Sequence, residues 1–197
     1  MTPTVRECFR LMDEYAMLDN IRAHSVLVGR VAERLACDLV ASGVALSVEV
    51  AVAGALLHDI AKTPCLHSGG DHAAEGAGIC RRHGFEELAA IVGEHVMLAD
   101  DGEPACCSEK EIVYYADKRV KHDRIVDLDE RLQYILDHYG KNDPELRRLI
   151  RNNFNRCRQV EARIFVRLGY GPADLIHLVE PVAADTAPTL RWQGVCV

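Results

Sequence analysis

The chain has 197 residues, 49 % of them hydrophobic, so it can bury a core without disulfide staples and does not have the composition of a disordered segment. Its formal net charge of −7 excludes a broad nucleic-acid-binding face, which needs a long stripe of clustered Lys and Arg. No apolar run approaches the length needed to cross a bilayer, and residues 1–14 carry charges with no signal-like apolar region. We therefore expect a cytoplasmic protein with neither a membrane nor a nucleic-acid polymer as partner.

The apolar spacing is helical almost throughout. A first helix is predicted over Thr4–Tyr15, then a connector in which Asn20 can cap the next helix. That helix spans Ile21–Val40, with Val28, Val31, Leu35 and Leu39 recurring at three- and four-residue steps, and Ser42-Gly43 breaks it. Ser47 caps a third helix that runs through Ala51, Ala55 and Leu56 to His58-Asp59, where Thr63-Pro64 ends it and His67–Gly70 forms a loop. Asp71 caps a helix over His72–His83, closed by Gly84 as its C-terminal glycine, and another helix covers Phe85–Val96. After a polar, turn-rich segment from Leu98, Ser108 with Glu111 forms a capping box for a helix carrying Ile112, Val113, Ala116 and Val120. Asp127 caps a helix ending at Gly140, and Asn142-Asp143-Pro144 starts a long one ending near Leu168-Gly169. The pattern is lost from Gly171. We expect one all-α domain over 1–170 and a partly extended tail over 171–197, with extended pieces at Val179–Val182 and Val195–Val197.

Eight cysteines contain no C-x-x-C pair, so reduced thiols are expected rather than a structural zinc site or a disulfide framework. The chemistry centres on His58-Asp59, an adjacent pair at the end of an apolar helix. Side chains one residue apart on a helix diverge by about 100°, so both can face one ion only near an end or where the helix loosens. His24 lies near the start of an apolar helix. Asp117 sits among Val113, Ala116 and Val120, where a carboxylate is costly to bury without a cationic partner.

The order His24, then Leu56-Leu57-His58-Asp59-Ile60-Ala61-Lys62, then Ala116-Asp117-Lys118, resembles the HD superfamily of metal-dependent phosphohydrolases across residues 20–125. The resemblance implies an irregular all-α HD-domain bundle with the metal centre between its helices. It also implies that His24, His58, Asp59 and Asp117 bind a divalent ion. His72, opening the His72-Ala73-Ala74-Glu75-Gly76-Ala77 segment, and His95 correspond to the residues that complete a second metal site in binuclear members; Gly76 there lets the helix pack closely. Such a His and Asp set suits one or two ions of Fe, Mn, Ni, Co, Zn or Mg.

The expected activity is cleavage of a phosphate ester or anhydride of a small molecule, a nucleotide or dinucleoside polyphosphate, by metal-activated hydroxide. Asp59, Lys62 and Lys118 are the expected catalytic residues, and Lys62, Lys118, Arg119 and Lys121 the expected phosphate-binding cations. Two other readings share the ligand set: a di-iron oxygenase of the same superfamily, and a non-catalytic nucleotide-binding signalling module. A homodimer is compatible with the sequence. His67 competes with His72, His83 and His138 read as helix C-terminal residues, and His122 and His177 belong to no motif.

Overall fold

The computed structural model describes residues 1–99, 107–140 and 142–179. Among these, the chain forms α1 (Val5–Glu14), α2 (Asp19–Ala41), α3 (Val48–Leu57), α4 (Lys62–Ser68), α5 (His72–Arg82), α6 (Glu86–Glu94) and α7 (Glu109–Arg119). A two-stranded hairpin of β1 (Val120–Lys121) and β2 (Arg124–Ile125) follows. Then come α8 (Leu128–His138), α9 (Pro144–Phe165), a 3-10 turn at Pro172–Asp174 and α10 (Leu175–Leu178). The fold is all-α, as the sequence predicts.

Local chemistry sets most of the boundaries. Ser47, Asp71, Asp127 and Asp143 each accept hydrogen bonds from the first-turn amides of α3, α5, α8 and α9, satisfying donors that a helix start leaves unpaired. Ser108 and Glu111 close the capping box of α7, and Thr4 with Glu7 forms another on α1. Gly84 has φ of +75°, the left-handed conformation expected of a residue that closes a helix.

Three boundaries differ from expectation. Asn20 does not cap α2; the helix starts at Asp19, with Leu18 in the cap position and no side-chain cap. Thr63-Pro64 does not end a helix but lies in the first turn of α4, where proline's missing N–H is no loss, and that helix takes in His67 and Ser68, half of the loop expected at His67–Gly70. α3 stops at Leu57, and residues 58–61 form a tight turn with hydrogen bonds from Ile60 N to Leu57 O (3.0 Å) and Lys62 N to Asp59 O (2.9 Å). The 120–125 hairpin, too short to leave a period in the sequence, was not foreseen.

The core gathers around α3, which is buried on nearly every side and packs against α1, α2, α6 and α7. Glycines let helices approach closely. A Cβ on Gly54 of α3 would lie 2.7 Å from Ile91 Cγ2 of α6, and one on Gly76 of α5 would lie 2.8 Å from Val92 Cγ1 of α6. α9 lies across α7 and α8, with Phe154, Cys157, Val160 and Ile164 on its buried face. Residues 171–179 continue onto this surface: Leu175 is fully buried, and Arg119 donates to Pro172 O at 2.9 Å. Of the extended pieces expected at Val179–Val182 and Val195–Val197 only Val179 is described, with extended backbone at the end of α10; the rest lie outside the described residues. Cys8, Cys65, Cys80, Cys107 and Cys157 are buried thiols.

Candidate metal centre

Six side chains converge from five segments. His24 comes from α2, His58 and Asp59 from the tight turn after α3, His72 from the first position of α5, His95 from the end of α6, and Asp117 from the last turns of α7. Ligand atoms of His24, His58 and Asp59 all lie within 4.8 Å of one another, as do those of Asp59, His72 and His95. Asp59 belongs to both groups and divides its oxygens between them. Its Oδ2 faces His58 Nε2 at 3.4 Å, while Oδ1 faces His72 Nε2 at 3.4 Å and His95 Nε2 at 3.6 Å. Asp117 Oδ1 closes the first group, 3.1 Å from His24 Nε2 and 3.7 Å from His58 Nε2. The expected ligand set is thus brought together as a whole, and His67 stays outside it, near the end of α4.

Main-chain carbonyls orient the imidazoles. His58 Nδ1 lies 2.7 Å from Ala55 O, His95 Nδ1 2.6 Å from Val92 O, and His24 Nδ1 3.3 Å from His122 O. A carbonyl can only accept, so each Nδ1 carries a proton and each ring points its Nε2 into the centre. His122, which belongs to no sequence motif, takes part through its backbone. It sits at the hairpin tip with φ of +57°, which swings its carbonyl onto His24.

With those Nε2 atoms unprotonated, lone pairs face lone pairs. His24 Nε2 meets a carboxylate oxygen at 3.1 Å. His58 Nε2 and Asp59 Oδ1 are buried without any hydrogen-bond partner. Such an arrangement is costly unless protons or a cation lie between the atoms. Nitrogen and carboxylate donors at these separations suit a borderline divalent cation, so the residues present fit the ion that the sequence resemblance implies. The electrostatics agree. Burial would raise the Asp59 carboxyl, but His58, His95 and Lys62 outweigh it and hold it well below the usual carboxylate range. Asp117 is also held well below that range, against its burial, by Lys118, His24 and His58. Burial lowers His72, keeping that ring neutral and able to donate its lone pair.

The centre opens into a cavity of about 500 Å³ whose lining includes Asp59, Lys62, His72, His95, Asp117, Lys118 and Arg131. Lys62 Nζ donates to Asp59 Oδ2 at 2.7 Å. Lys118 Nζ donates to His95 O at 2.6 Å and Asp117 Oδ2 at 3.2 Å, and lies 4.2 Å from the centroid of the Tyr114 ring. Arg131 lies 3.8 Å from Asp117 Oδ1, and its buried Nε has no hydrogen-bond partner. Sequence reading missed Arg131. The available signal was the i, i+4, i+8 stripe of Arg131, Ile135 and Tyr139 on α8, all of which line the cavity.

Two expected phosphate-binding cations are placed elsewhere. Arg119 is buried on another face of α7, donating to Val126 O at 2.7 Å and to the Tyr115 hydroxyl, and pairing with Glu161. Lys121 pairs with Glu130 at 3.0 Å beside the Tyr134 ring. The reason is rotational: once Asp117 is aimed at the centre, Arg119 is turned about 200° away along the helix, and Lys121 has passed into the hairpin.

Comparison with known proteins agrees with this geometry. The HD domain family matches residues 21–121, which contain all six converging side chains. The chain belongs to the HD domain family. HD domains bind divalent metals and are in general metal-dependent phosphohydrolases. This HD protein is also similar to an uncharacterized protein of Methanocaldococcus jannaschii, 29 % identical over 145 residues that cover 67 % of this chain and 85 % of the relative. No solved structure matches the chain significantly. No helix among the described residues is long and apolar enough to cross a membrane.

Proposed function

We propose that this HD protein is a binuclear metal-dependent hydrolase that cleaves a phosphate ester or anhydride of a small molecule. His24, His58, Asp59 and Asp117 hold one divalent ion, and Asp59, His72 and His95 hold the second. The observation that carries this reading is the division of Asp59, with one oxygen toward each group of imidazoles. When bound, the ions supply an acidified water and polarise phosphoryl oxygens.

The chain's own residues do the rest. Asp59 ties the two halves together and fixes their separation. Lys62, whose ammonium is kept protonated by Asp59 despite its burial, and Arg131, with its free Nε, present positive charge to the phosphoryl oxygens from two sides of the cavity. Lys118 acts as a positioning residue, tying Asp117 to the carbonyl of His95.

The decisive experiment is metal analysis of purified protein reconstituted with single divalent ions, followed by a phosphate-release screen over phosphate esters, nucleotides and dinucleoside polyphosphates. Two ions per chain and release that depends on them are expected. A chain that takes up no divalent ion at neutral pH, or an Asp117→Ala variant with full activity, overturns the reading. Oxygen consumption by the iron-loaded protein, with no phosphate released, would move it to the oxygenase class.

A further inference from the structure

The cavity has two unlike ends. Beyond the ionic residues its wall is hydrocarbon, and much of that wall is exposed. Leu66 of α4 (62 % exposed), Val96 and Met97 after α6, Tyr139 after α8, and Leu146 and Leu149 of α9 all line it while remaining open to solvent. Exposed apolar side chains scattered singly are ordinary, but six lining one cavity are not. The amide among them spends one donor and one acceptor within the protein: Asn153 donates to Val96 O at 2.9 Å and accepts from the Tyr114 hydroxyl at 2.7 Å. Among the described residues this end of the cavity therefore offers a broad surface to a hydrocarbon, and Asn153 is its one side-chain amide.

Resting on the phosphohydrolase reading, we propose that the group attached to the scissile phosphate is a hydrocarbon, an alkyl or prenyl chain, seated against the wall formed by Leu66, Val96, Met97, Tyr139, Leu146 and Leu149. The cavity volume is within the range of pockets that enclose ligands of this size. Continuity with the ionic end supplies the orientation: the phosphoryl group lies toward Lys62 and Arg131, and the chain runs outward along α9. Hydrolysis adds water across the P–O bond, releasing the alcohol of the chain and inorganic phosphate.

The test uses the metal-loaded full chain and a series of alkyl phosphates from methyl to octyl, kept below micelle-forming concentrations, with AMP as the nucleotide comparison. Each buried methylene should raise kcat/KM by about fourfold until the wall is covered. Leu149→Asp and Met97→Gln, at exposed positions, should flatten that dependence while metal content stays at the parent level. Binding of methyl- and hexylphosphonate, measured by calorimetry, supplies an arm independent of turnover. Equal turnover across the series, or a preference for AMP, overturns the hydrocarbon assignment and leaves the phosphohydrolase reading standing. Tighter binding of hexylphosphonate without phosphate release from any ester overturns the function and leaves the wall's preference standing. A dimer that Leu149→Asp converts to monomer with no change in chain-length dependence assigns the wall to a second copy and overturns the proposal.

Discussion

At the inner end of the cavity, six ligand-type side chains from five segments are held by main-chain carbonyls and by each other, and His58 and Asp59 are wholly buried. At the outer end, apolar side chains from α4, α9 and the segments after α6 and α8 stand open to solvent. The inner end spends burial on atoms that need a cation; the outer end leaves uncovered the kind of surface that burial would favour. The inner end is thus built to be rigid and to choose an ion, and the outer end to gain contacts only when something enters.

Removing donors should break the inner end most severely. Asp59→Ala removes a donor from both groups and should reduce metal content and phosphate release to background. His72→Ala touches only the more open group and should leave about one ion per chain, which elemental analysis distinguishes. Equal losses in the two variants would refute the division of Asp59 between sites.

The two faces of α9 sharpen the same contrast in stability. Phe154→Ala, in the core, should cost about 3–5 kcal/mol in urea unfolding, and Leu149→Ala on the cavity wall no more than about 0.5 kcal/mol. A large cost at Leu149 would mean that the outer wall is structural.

Alkaline pH probes the buried side. Burial pushes the thiols of Cys8 and Cys157 up to about 12 and that of Cys80 up to about 11, from an ordinary 9.0. Between those limits the unfolded chain loses thiol protons that the native chain keeps. The stabilising contribution is therefore complete below pH 9 and declines as pH rises, by about 1.4 kcal/mol per pH unit for each thiol. Native protein at pH 8 should also resist thiol reagents at these three positions; rapid labelling there would contradict the packing. A smaller loss than at Phe154 lies at a helix start far from the contrast: Ser108→Ala should lower stability by about 1 kcal/mol through loss of the α7 cap.

Much of this was legible in the chain. Helix starts at Ser47, Asp71, Ser108, Asp127 and Asp143 follow from one side chain satisfying nearby amides, which is local chemistry and survives in sequence order. The six converging residues were readable because a motif preserves residue type and order. Arg131 was not, since its proximity to Asp117 depends on how α8 lies across the mouth of the site. Arg119 and Lys121 misled for the converse reason: neighbours of Asp117 in sequence are turned away from it in space. His122 could not be found from its side chain, because its part is played by a carbonyl.

A helical chain, most of its helix starts and the identity of six ligand-type residues can be read along the backbone, because periodicity, capping and motif order are properties of neighbours in the chain. That Asp59 turns one oxygen to each group, that Arg131 and not Arg119 lies at the centre, and that an apolar wall adjoins it emerge only on folding. Those facts depend on distances between segments far apart in sequence, fixed by how α3 packs against α2, α6 and α7 and how α9 lies across the fold.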